Sequence, residues 1–248
     1  MSRHPSDARI IVMWAVPRSR STAFLRMIIE RGDLDVVHEP FSNLAATGRF
    51  ELGEHTAGSI EELFELLLDR ARTGERRLFV KETADYRYDA LLADPRLHTE
   101  LTNTFMIREP GAVVRSHYAM NRDVERDEIG FERVHELFGA VRAAGAPAIV
   151  VDGDDLVADP PAVIARFCEL TGLPFRREAL TWDRGARPEW ARTEHWHLDV
   201  ERSSGFTTAS NEHPVDPADA ERVEALIAHH RPFYERLREH RIAGASAR

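Results

Sequence analysis

The sequence predicts an α/β fold with a largely parallel sheet. Short apolar runs, typical of buried strands, alternate with segments of helical spacing from Ile10 to Gly172. Strands that alternate with helices pair in parallel, because each helix carries the chain back across the sheet. No internal repeat, low-complexity stretch or linker interrupts the pattern. We therefore expect one domain over residues 1–248, with residues 1–8 as a flexible start.

The first elements are a strand, a polar turn, a helix and a second strand. Residues 10–16 form a continuous run of seven apolar residues, which predicts a strand buried on both faces. The run ends at Pro17, and the polar residues 19–22 lead into residues 23–29, whose apolar spacing predicts a helix. Residues 35–38 predict a short second strand. The polar turn therefore lies between a strand end and a helix N-terminus.

The alternation continues after one insert. Residues 42–58 are rich in Gly, Ala, Thr and Glu and predict a loop or mobile insert. A helix is predicted over residues 59–72, with Ser59 as N-cap and Glu62 as its capping-box partner. Residues 174–215 predict irregular structure. The other predicted strands are residues 78–81, 102–107 and 148–151, and the other predicted helices are residues 111–120, 131–144, 159–170 and 217–241.

Composition disfavours several classes of partner. The chain has 42 acidic and 33 basic residues, a formal net charge of −9 and no basic run, which disfavours binding to nucleic acid or to an acidic membrane. Its longest apolar run is far below the ~20 residues that span a bilayer, and residues 1–9 are polar. A single cysteine, Cys168, makes neither an internal disulfide nor a cysteine-based zinc site. We expect a soluble, cytoplasmic protein without a metal. His195 and His197 are the nearest metal-ligand candidates, and we expect them to be a surface or packing pair.

Lysine is almost absent from this chain. Of the 33 basic residues, 32 are arginines and only Lys81 is a lysine. The preference for arginine is a background property of the sequence, so a lysine retained at a predicted strand end indicates a functional position. The alternative is a solvated strand-end lysine.

Polar residues follow four predicted strands at the point where each strand ends. Residues 17–22 follow the first strand, Glu39 the second, residues 81–83 the third and Arg108 the fourth. In open α/β sheets, ligands bind outside the carboxyl ends of the strands. We therefore expect these four groups to converge on one site.

The turn after the first strand has the chemistry of an anion site. N–H groups and the dipole at a helix N-terminus favour an anion, and the turn adds hydroxyl and guanidinium donors that suit phosphate or sulfate. The alternative is a helix cap with solvated arginines. The turn lacks the glycines and the lysine of a Walker A loop, which disfavours an ATP or GTP hydrolase. Its donors are Arg18, Ser19, Arg20, Ser21 and Thr22.

Arg108 begins a second polar group. It stands two residues before Pro110, and Ser116 lies eight residues after it on the predicted helix. Ser116 either faces back toward the strand end and joins Arg108 around a second phosphate, or it is a surface serine.

Taken together, the two groups resemble the nucleotide motifs of sulfotransferases. The turn at 17–22 resembles their 5′-phosphosulfate loop, and Arg108 with Pro110 and Ser116 resembles their 3′-phosphate motif, in the same order and 90 residues apart from Arg18. The resemblance covers roughly residues 8–175 and is strongest to bacterial small-molecule and carbohydrate-type members. It implies a P-loop-like three-layer fold with a central sheet flanked by helices. It further implies that 3′-phosphoadenosine 5′-phosphosulfate (PAPS) donates a sulfuryl group to a hydroxyl of a small molecule, sugar or natural-product intermediate, with no metal.

The resemblance also implies which residues bind the nucleotide. The 5′-phosphosulfate would be bound by residues of the turn, namely Arg18, Ser19, Arg20, Ser21 and Thr22. The 3′-phosphate would be bound by Arg108 and Ser116. The resemblance extends more loosely to residues 182–206, and a late loop within residues 182–210 would cover the nucleotide with Arg202, Ser203 and Phe206. The Arg-Lys-Gly sequence that many members carry there is missing.

Glu39 is the general base that the resemblance implies. Many soluble members use a histidine two residues after a strand-end lysine, but that position is Thr83 here, whereas the turn at Glu39 matches the carbohydrate-type members. His38 is either catalytic or structural, since neighbours on a strand face opposite sides. Lys81 would lie beside the transferring sulfuryl group. Arg18 stands where many members have a lysine on the bridging oxygen, which leaves open how the leaving group is stabilised.

Two alternatives to this function stay open. One is a P-loop kinase-like enzyme, and the other is a non-catalytic nucleotide-binding module of the same fold, which Thr83 makes conceivable. The expected acceptor pocket is built by residues 42–58, by the segment after Tyr86 and by residues 182–206. Tyr86, Tyr88 and Trp190 would either stack on an acceptor ring or pack in the core. The sequence predicts no particular oligomeric state.

Overall fold

A parallel five-stranded sheet lies at the centre of the protein. The computed structural model describes residues 8–190, 198–207 and 213–243. In spatial order the sheet contains β2, β5, β1, β6 and β7, all parallel, and β3 and β4 form a separate antiparallel hairpin. The strands are β1 (Ile10–Ala15), β2 (Leu34–His38), β3 (Phe50–Leu52), β4 (His55–Ala57), β5 (Arg77–Thr83), β6 (Leu101–Ile107) and β7 (Ala148–Asp152). The predicted α/β class, with a central parallel sheet flanked by helices, is confirmed.

Helices follow most strands, as the alternation predicts. Several begin at a proline in the first turn, where the missing N–H has no intrahelical partner to lose. The helices are α1 (Ser21–Arg31), α2 (Pro40–Thr47), α3 (Ile60–Thr73), α4 (Asp89–Ala93), α5 (Arg96–Thr99), α6 (Pro110–Tyr118), α7 (Phe131–Ala143), α8 (Gly153–Ala158), α9 (Pro160–Thr171), α10 (Leu198–Glu201) and α11 (Ala220–Arg238).

The sheet separates two hydrophobic cores. Alternate side chains of β1 enter different cores, with Val12 and Trp14 on one face and Ile11 and Met13 on the other. The Trp14 core contains residues of α2, α3, α6, α7 and α11, whereas the Met13 core contains residues of α1, α8 and α9. β1 is buried along its whole length, which explains its uninterrupted apolar sequence.

The register places the strand ends beside one another. Because every pair in the sheet is parallel, the carboxyl ends share one edge. His38 at the end of β2 pairs with Lys81 of β5, and Ala15 at the end of β1 pairs with Thr83 of β5 and Met106 of β6. The four polar groups at the predicted strand ends therefore lie along a single edge.

Residues 42–58 differ from the predicted loop. They continue α2, which begins at Pro40 and ends before Gly48, and then form the β3–β4 hairpin. Gly48 has φ of 76° and its N–H bonds to the carbonyl of Leu44, which is a left-handed C-cap. The small and polar composition of the segment concealed a helix that packs through Phe41 and Leu44.

Smaller differences occur at three helix ends. Ser59 accepts from the N–H of Glu62 as predicted, but the Glu62 carboxylate accepts from Gly58 instead of completing the capping box. The last long helix begins at Ala220 after a 3₁₀ turn (Pro217–Asp219), and it ends at Arg238. Residues 174–215 contain a 3₁₀ turn and the short α10 within their described parts. His195, Trp196 and His197 lie outside the described residues.

Membrane-spanning helices and clusters of metal-binding side chains are both absent from the described chain. No helix there is long and apolar enough to cross a membrane. Within the same ranges, no group of three or more His, Cys, Asp or Glu side chains is placed to hold a metal ion.

His230 on α11 predicts a loss of stability in acid. It is fully buried against Phe131, and burial lowers its pKa to about 4. An unfolded chain protonates histidine near pH 6.5, so the free energy of unfolding should fall between about pH 6.5 and 4, by up to about 1.4 kcal/mol per pH unit for this side chain.

His230→Leu should flatten part of that fall in urea unfolding at fixed pH, because the unfolded variant has one proton fewer to bind. His55→Leu on the exposed hairpin is the control and should leave the fall unchanged. Identical pH dependence of the His230→Leu variant and the wild type would contradict the prediction.

Candidate functional site

A cavity of about 1100 Å³ opens at the carboxyl edge of the sheet. It is lined by the ends of β1, β2, β5 and β6 and by the segment around α10. Eleven of the predicted site residues line it: Arg18, Arg20, Ser21, Thr22, Glu39, Lys81, Arg108, Ser116, Arg202, Ser203 and Phe206. Ser19 and His38 are buried and do not contribute to its wall. The strand ends thus form one site.

The turn between β1 and α1 has an unusual backbone. Arg18 has φ of 62° and Arg20 has φ of 74°, a left-handed conformation that non-glycine residues rarely adopt. Between them, the N–H of Ser19 bonds to the carbonyl of Val16, while the Ser19 hydroxyl is buried without a hydrogen-bond partner among the described residues. No side chain of the described ranges caps α1, and its first residues line the cavity. The start of the helix therefore presents a positive dipole end to the cavity.

Two arginines from different strands meet in the cavity. Arg18 donates from Nε to the Ser116 hydroxyl at 3.0 Å, and Arg108 donates to the carbonyl oxygen of Arg18 at 3.4 Å. Burial lowers the pKa of Arg18, and Arg108 adds to that effect while Asp199 opposes it. The two polar groups found 90 residues apart in the sequence are therefore in direct contact, and they concentrate positive charge.

Arg20 and Arg108 share one carboxylate. Asp154, on α8, lies 3.3 Å from Nε of Arg108 and 3.8 Å from Nε of Arg20. Arg20 also donates to the carbonyl of Thr207 at 2.6 Å, which ties the turn after β1 to the segment after α10. Burial lowers the pKa of Arg20, and Arg108 pushes in the same direction. Sequence reasoning missed Asp154 because nothing local in the sequence shows which cation it meets.

Gly153 gives the turn the space it needs. A Cβ at this position would lie 2.4 Å from the carbonyl oxygen of Ser19 and 3.3 Å from that of Ile107. Contacts that short require a backbone shift, so only glycine allows α8 to begin against the turn.

Lys81 and Glu39 form a buried ion pair in the wall of the same cavity. Lys81 Nζ donates to Oε1 of Glu39, and the side chain of Lys81 is 2% exposed. A backbone hydrogen bond also joins the two residues: the N–H of Glu39 donates to the carbonyl of Lys81 at 2.6 Å. Glu39 has φ of 47°, also left-handed. The lone lysine of the chain is therefore not a solvated strand-end residue.

His38 lies behind this pair. Its Nε2 is 3.5 Å from Oε1 of Glu39, and its ring meets Trp190 edge-on at 6.5 Å between centroids. Burial lowers the pKa of His38 to about 4, although Glu39 opposes the shift. At neutral pH the ring is therefore uncharged, and it packs behind the cavity wall.

Glu82 is a buried carboxyl that sequence reasoning missed. It follows Lys81 on β5 but faces the other side of the sheet, where Oε2 accepts from the N–H of Phe41 at 2.7 Å. Oε1 accepts from the Ser42 hydroxyl at 2.5 Å and from the N–H of Thr83 at 2.9 Å. Burial raises the pKa of Glu82 to about 8.

The residues that follow α10 lie at the cavity, whereas only one of the three rings predicted to stack on an acceptor lines it. The Trp182 indole donates to the Ser203 hydroxyl at 3.1 Å and meets Phe206 edge-on at 5.4 Å between centroids, so Phe206 and Ser203 are held at the cavity. Tyr86 is 40% exposed and lines the cavity, whereas Tyr88 and Trp190 are buried in the core.

The residues that flank Ser116 also differ from each other. Arg115 pairs with Glu224 on the surface at 2.7 Å. His117 lines the cavity, and burial lowers its pKa to about 4.

Comparison with family models gives one assignment over nearly the whole chain. Residues 9–241 match the model described as a sulfotransferase domain. This range contains every site residue described above.

Two curated relatives are named as aminotransferase-like proteins and not as sulfotransferases. Branched-chain-amino-acid aminotransferase-like protein 1 of Arabidopsis thaliana is 26% identical over 250 residues, which cover 95% of this chain and 42% of that protein. Aminotransferase-like protein 2 of the same plant is 24% identical over 209 residues, covering 80% of this chain and 36% of that protein. This chain spans less than half of the length of these relatives.

One of the similar solved structures shares the architecture of this chain. Mouse sulfotransferase SULT7A1 complexed with PAP has a TM-score of 0.52 and 11% identity, with 96% of this chain and 90% of the mouse chain covered. The sulfotransferase domain of the Synechococcus PCC 7002 olefin synthase has a TM-score of 0.48 and 16% identity, with 92% and 97% covered. The mouse protein shares the fold of this chain.

Glu82→Gln should change how stability depends on pH. With a pKa of about 8, the folded protein keeps a proton that the unfolded chain loses near pH 4.5. The stabilisation from this group is therefore complete in acid and is lost as the pH rises through about 8. A glutamine does not titrate, so the free energy of unfolding of the variant should rise relative to that of the wild type between about pH 5 and 8, by at most about 1.4 kcal/mol per pH unit.

Denaturant unfolding across that pH range measures the effect. Glu54→Gln on the exposed hairpin is the control and should show no such gain. A difference in unfolding free energy between the Glu82→Gln variant and the wild type that does not vary with pH would contradict the prediction.

Proposed function

The chain belongs to the sulfotransferase family, and we propose that it transfers a sulfuryl group from PAPS to a hydroxyl of a small acceptor. The observation that carries the proposal is the hydrogen bond between Arg18 and Ser116, which joins the two nucleotide motifs in one cavity. The wall of the same cavity also contains a carboxylate and an ammonium, at Glu39 and Lys81.

The donor set of the cavity fits a nucleotide with separate phosphate groups. Arg18, Arg20 and Arg108 offer three guanidinium forks, the group that pairs best with phosphate and sulfate oxygens. The start of α1 adds a helix dipole and the hydroxyls of Ser21 and Thr22. We assign the turn to the 5′-phosphosulfate, and Arg108 with Ser116 to the 3′-phosphate.

When bound, PAPS supplies an activated sulfuryl group, so the protein mainly positions reactants and provides fixed charge. Arg18 is central to this role, because it lines the cavity next to Arg108 and contacts Ser116 of the second motif. A guanidinium spreads its charge over more atoms than an ammonium does. We propose that Arg18 supplies the charge at the leaving phosphate that many relatives obtain from a lysine.

Glu39 is the proposed general base. The acceptor oxygen forms a bond to sulfur while the bond from sulfur to the bridging phosphate oxygen breaks, and the acceptor proton passes to the Glu39 carboxylate. Glu39 lines the cavity, whereas His38 does not, and a histidine with a pKa of about 4 is a weak base. We therefore assign His38 to the support of Glu39.

Lys81 has two roles in this proposal. Its ammonium contacts the Glu39 carboxylate and lines the same cavity, so it holds that carboxylate in place and adds positive charge near the reacting centre. The position that many relatives give to histidine is Thr83, which lines the cavity without a titratable group.

The remaining lining residues are assigned either to the nucleotide or to the acceptor. Arg202, Ser203 and Phe206 line the cavity beside the arginines, and we assign them to covering the nucleotide. Tyr86 and Asp85 line the cavity near Glu39, and we assign that part to the acceptor. A cytoplasmic location, and the lack of nucleic-acid and membrane partners, stay predictions from the sequence.

Nucleotide binding is the first test. The wild type should show a rise in melting temperature with 3′-phosphoadenosine 5′-phosphate and a smaller rise with ATP, since only the former carries the 3′-phosphate. Arg108→Ala should weaken binding of the former about 10- to 100-fold, because a hydrogen bond from a charged group is worth about 1.5–3 kcal/mol.

Arg115→Ala is the matched control, as this exposed arginine pairs with Glu224 outside the cavity. No thermal shift of the wild type with 3′-phosphoadenosine 5′-phosphate would refute the proposed donor. A larger shift with ATP would favour the kinase-like alternative instead.

Loss of the base is the second test. Glu39→Gln should lower kcat by about 10²- to 10⁴-fold, the usual contribution of a general base, and should bind 3′-phosphoadenosine 5′-phosphate close to the wild-type affinity. Sulfate transfer to a broad panel of hydroxylated compounds measures turnover. Unchanged turnover of Glu39→Gln would remove Glu39 as the base, and nucleotide binding without transfer to any compound would support the non-catalytic module.

A further inference from the structure

The turn that carries Glu39 is also the start of α2. Glu39 is the N-cap residue of that helix, but its side chain makes no capping hydrogen bond, and its carboxylate contacts Lys81 instead. A helix start leaves several N–H groups without intrahelical acceptors, and in α2 these include the groups of Phe41 and Ser42. A buried helix start requires an acceptor from elsewhere.

Glu82 supplies that acceptor from the neighbouring strand. Its Oε2 accepts from Phe41 at 2.7 Å and its Oε1 lies 3.4 Å from the N–H of Ser42, so one carboxyl receives the two N–H groups that an N-cap side chain normally receives. Glu82 is fully buried. The Ser42 hydroxyl also lies 2.9 Å from Oδ1 of Asp85 and 2.9 Å from the hydroxyl of Tyr88.

Lys81 and Glu82 therefore hold the turn from both sides of β5. Neighbouring residues of a strand face opposite ways, so the Lys81 ammonium contacts the Glu39 carboxylate while the Glu82 carboxyl holds the first turn of α2. Glu39 itself adopts a left-handed φ of 47°, a conformation that persists only when its surroundings hold it.

We propose that Glu82 is a positioning residue for Glu39, because it caps α2 in place of Glu39 and so leaves the Glu39 carboxylate at the cavity. This inference rests on the proposed function only for the catalytic consequence. Without the Glu82 acceptor, we expect the carboxylate of Glu39, the residue at the N-cap position, to accept from the N–H groups of Phe41 and Ser42. That carboxylate would then leave Lys81.

The test uses two substitutions of similar length. Glu82→Gln keeps a side-chain oxygen that accepts from Phe41, and Glu82→Met fills the same space without such an oxygen. In crystal structures of the two variants, Glu39 should stay within hydrogen-bond distance of Lys81 Nζ in the glutamine variant. In the methionine variant it should move beyond ~3.5 Å and accept from Phe41 or Ser42. An intact Lys81–Glu39 pair in the methionine variant would overturn the proposal.

Turnover supplies an independent readout with the hydroxylated compound that the wild type sulfates best. Glu82→Met should lower kcat at least 10-fold with unchanged affinity for 3′-phosphoadenosine 5′-phosphate, and Glu82→Gln should restore most of it. In a Glu39→Gln background, Glu82→Met should cause no further loss, because a residue that acts through Glu39 has nothing left to position. An equal loss in both backgrounds would overturn the proposal.

Controls separate this inference from the proposed function and from general instability. Ser59→Ala removes the cap of α3, away from the cavity, and should leave kcat unchanged. If Glu82→Met does not fold, Glu82→Asp replaces it, because its carboxylate is one methylene short of Phe41. If Glu39→Gln keeps full turnover, the proposed base is wrong, and the crystal structures still decide whether Glu82 positions the carboxylate.

Discussion

The buried ion pair between Lys81 and Glu39 is the interaction on which the rest of the site depends. Each charge is costly to bury alone, and removing one partner of such a pair typically costs about 3–5 kcal/mol. The pair is possible because β2 lies next to β5 and His38 pairs with Lys81 in register, which brings the turn at Glu39 to the end of β5. The sheet order thereby places a carboxylate in the same cavity as Arg18, Arg20 and Arg108.

Strand order and strand ends explain why much of the site was predictable. A buried parallel strand is rich in apolar residues, so β1 was visible as a run of seven and β5, β6 and β7 as shorter apolar runs. Their polar ends mark the edge of the sheet, which let the convergence of Arg18, Glu39, Lys81 and Arg108 be predicted before any contact was known. The hydrogen bond from Arg18 to Ser116 joins residues 98 positions apart, and nothing in the sequence predicted it, because the two residues belong to different motifs.

The parts that were not predictable depend on long-range partners. Glu82 looks like an ordinary strand-end carboxylate until α2 is seen to begin against it. The role of Asp154 depends on its ion pairs with Arg20 and Arg108, which follow two other strands. The helix within residues 42–58 was missed because its small and polar residues lack a strong apolar period, and its stability comes from packing and from an acceptor on another strand.

The left-handed residues of the cavity carry a further consequence. Three non-glycine residues in the described chain have positive φ, and all three line the cavity: Arg18, Arg20 and Glu39. Such conformations cost of order 1–3 kcal/mol each, and glycine would remove that cost. A library of variants selected for thermal stability alone should therefore drift to glycine at Arg18 and Arg20 and lose these two cations. At Glu39 the cost of breaking the buried pair with Lys81 exceeds the backbone gain. Thermal stability and chemistry therefore compete at the two arginines of the turn.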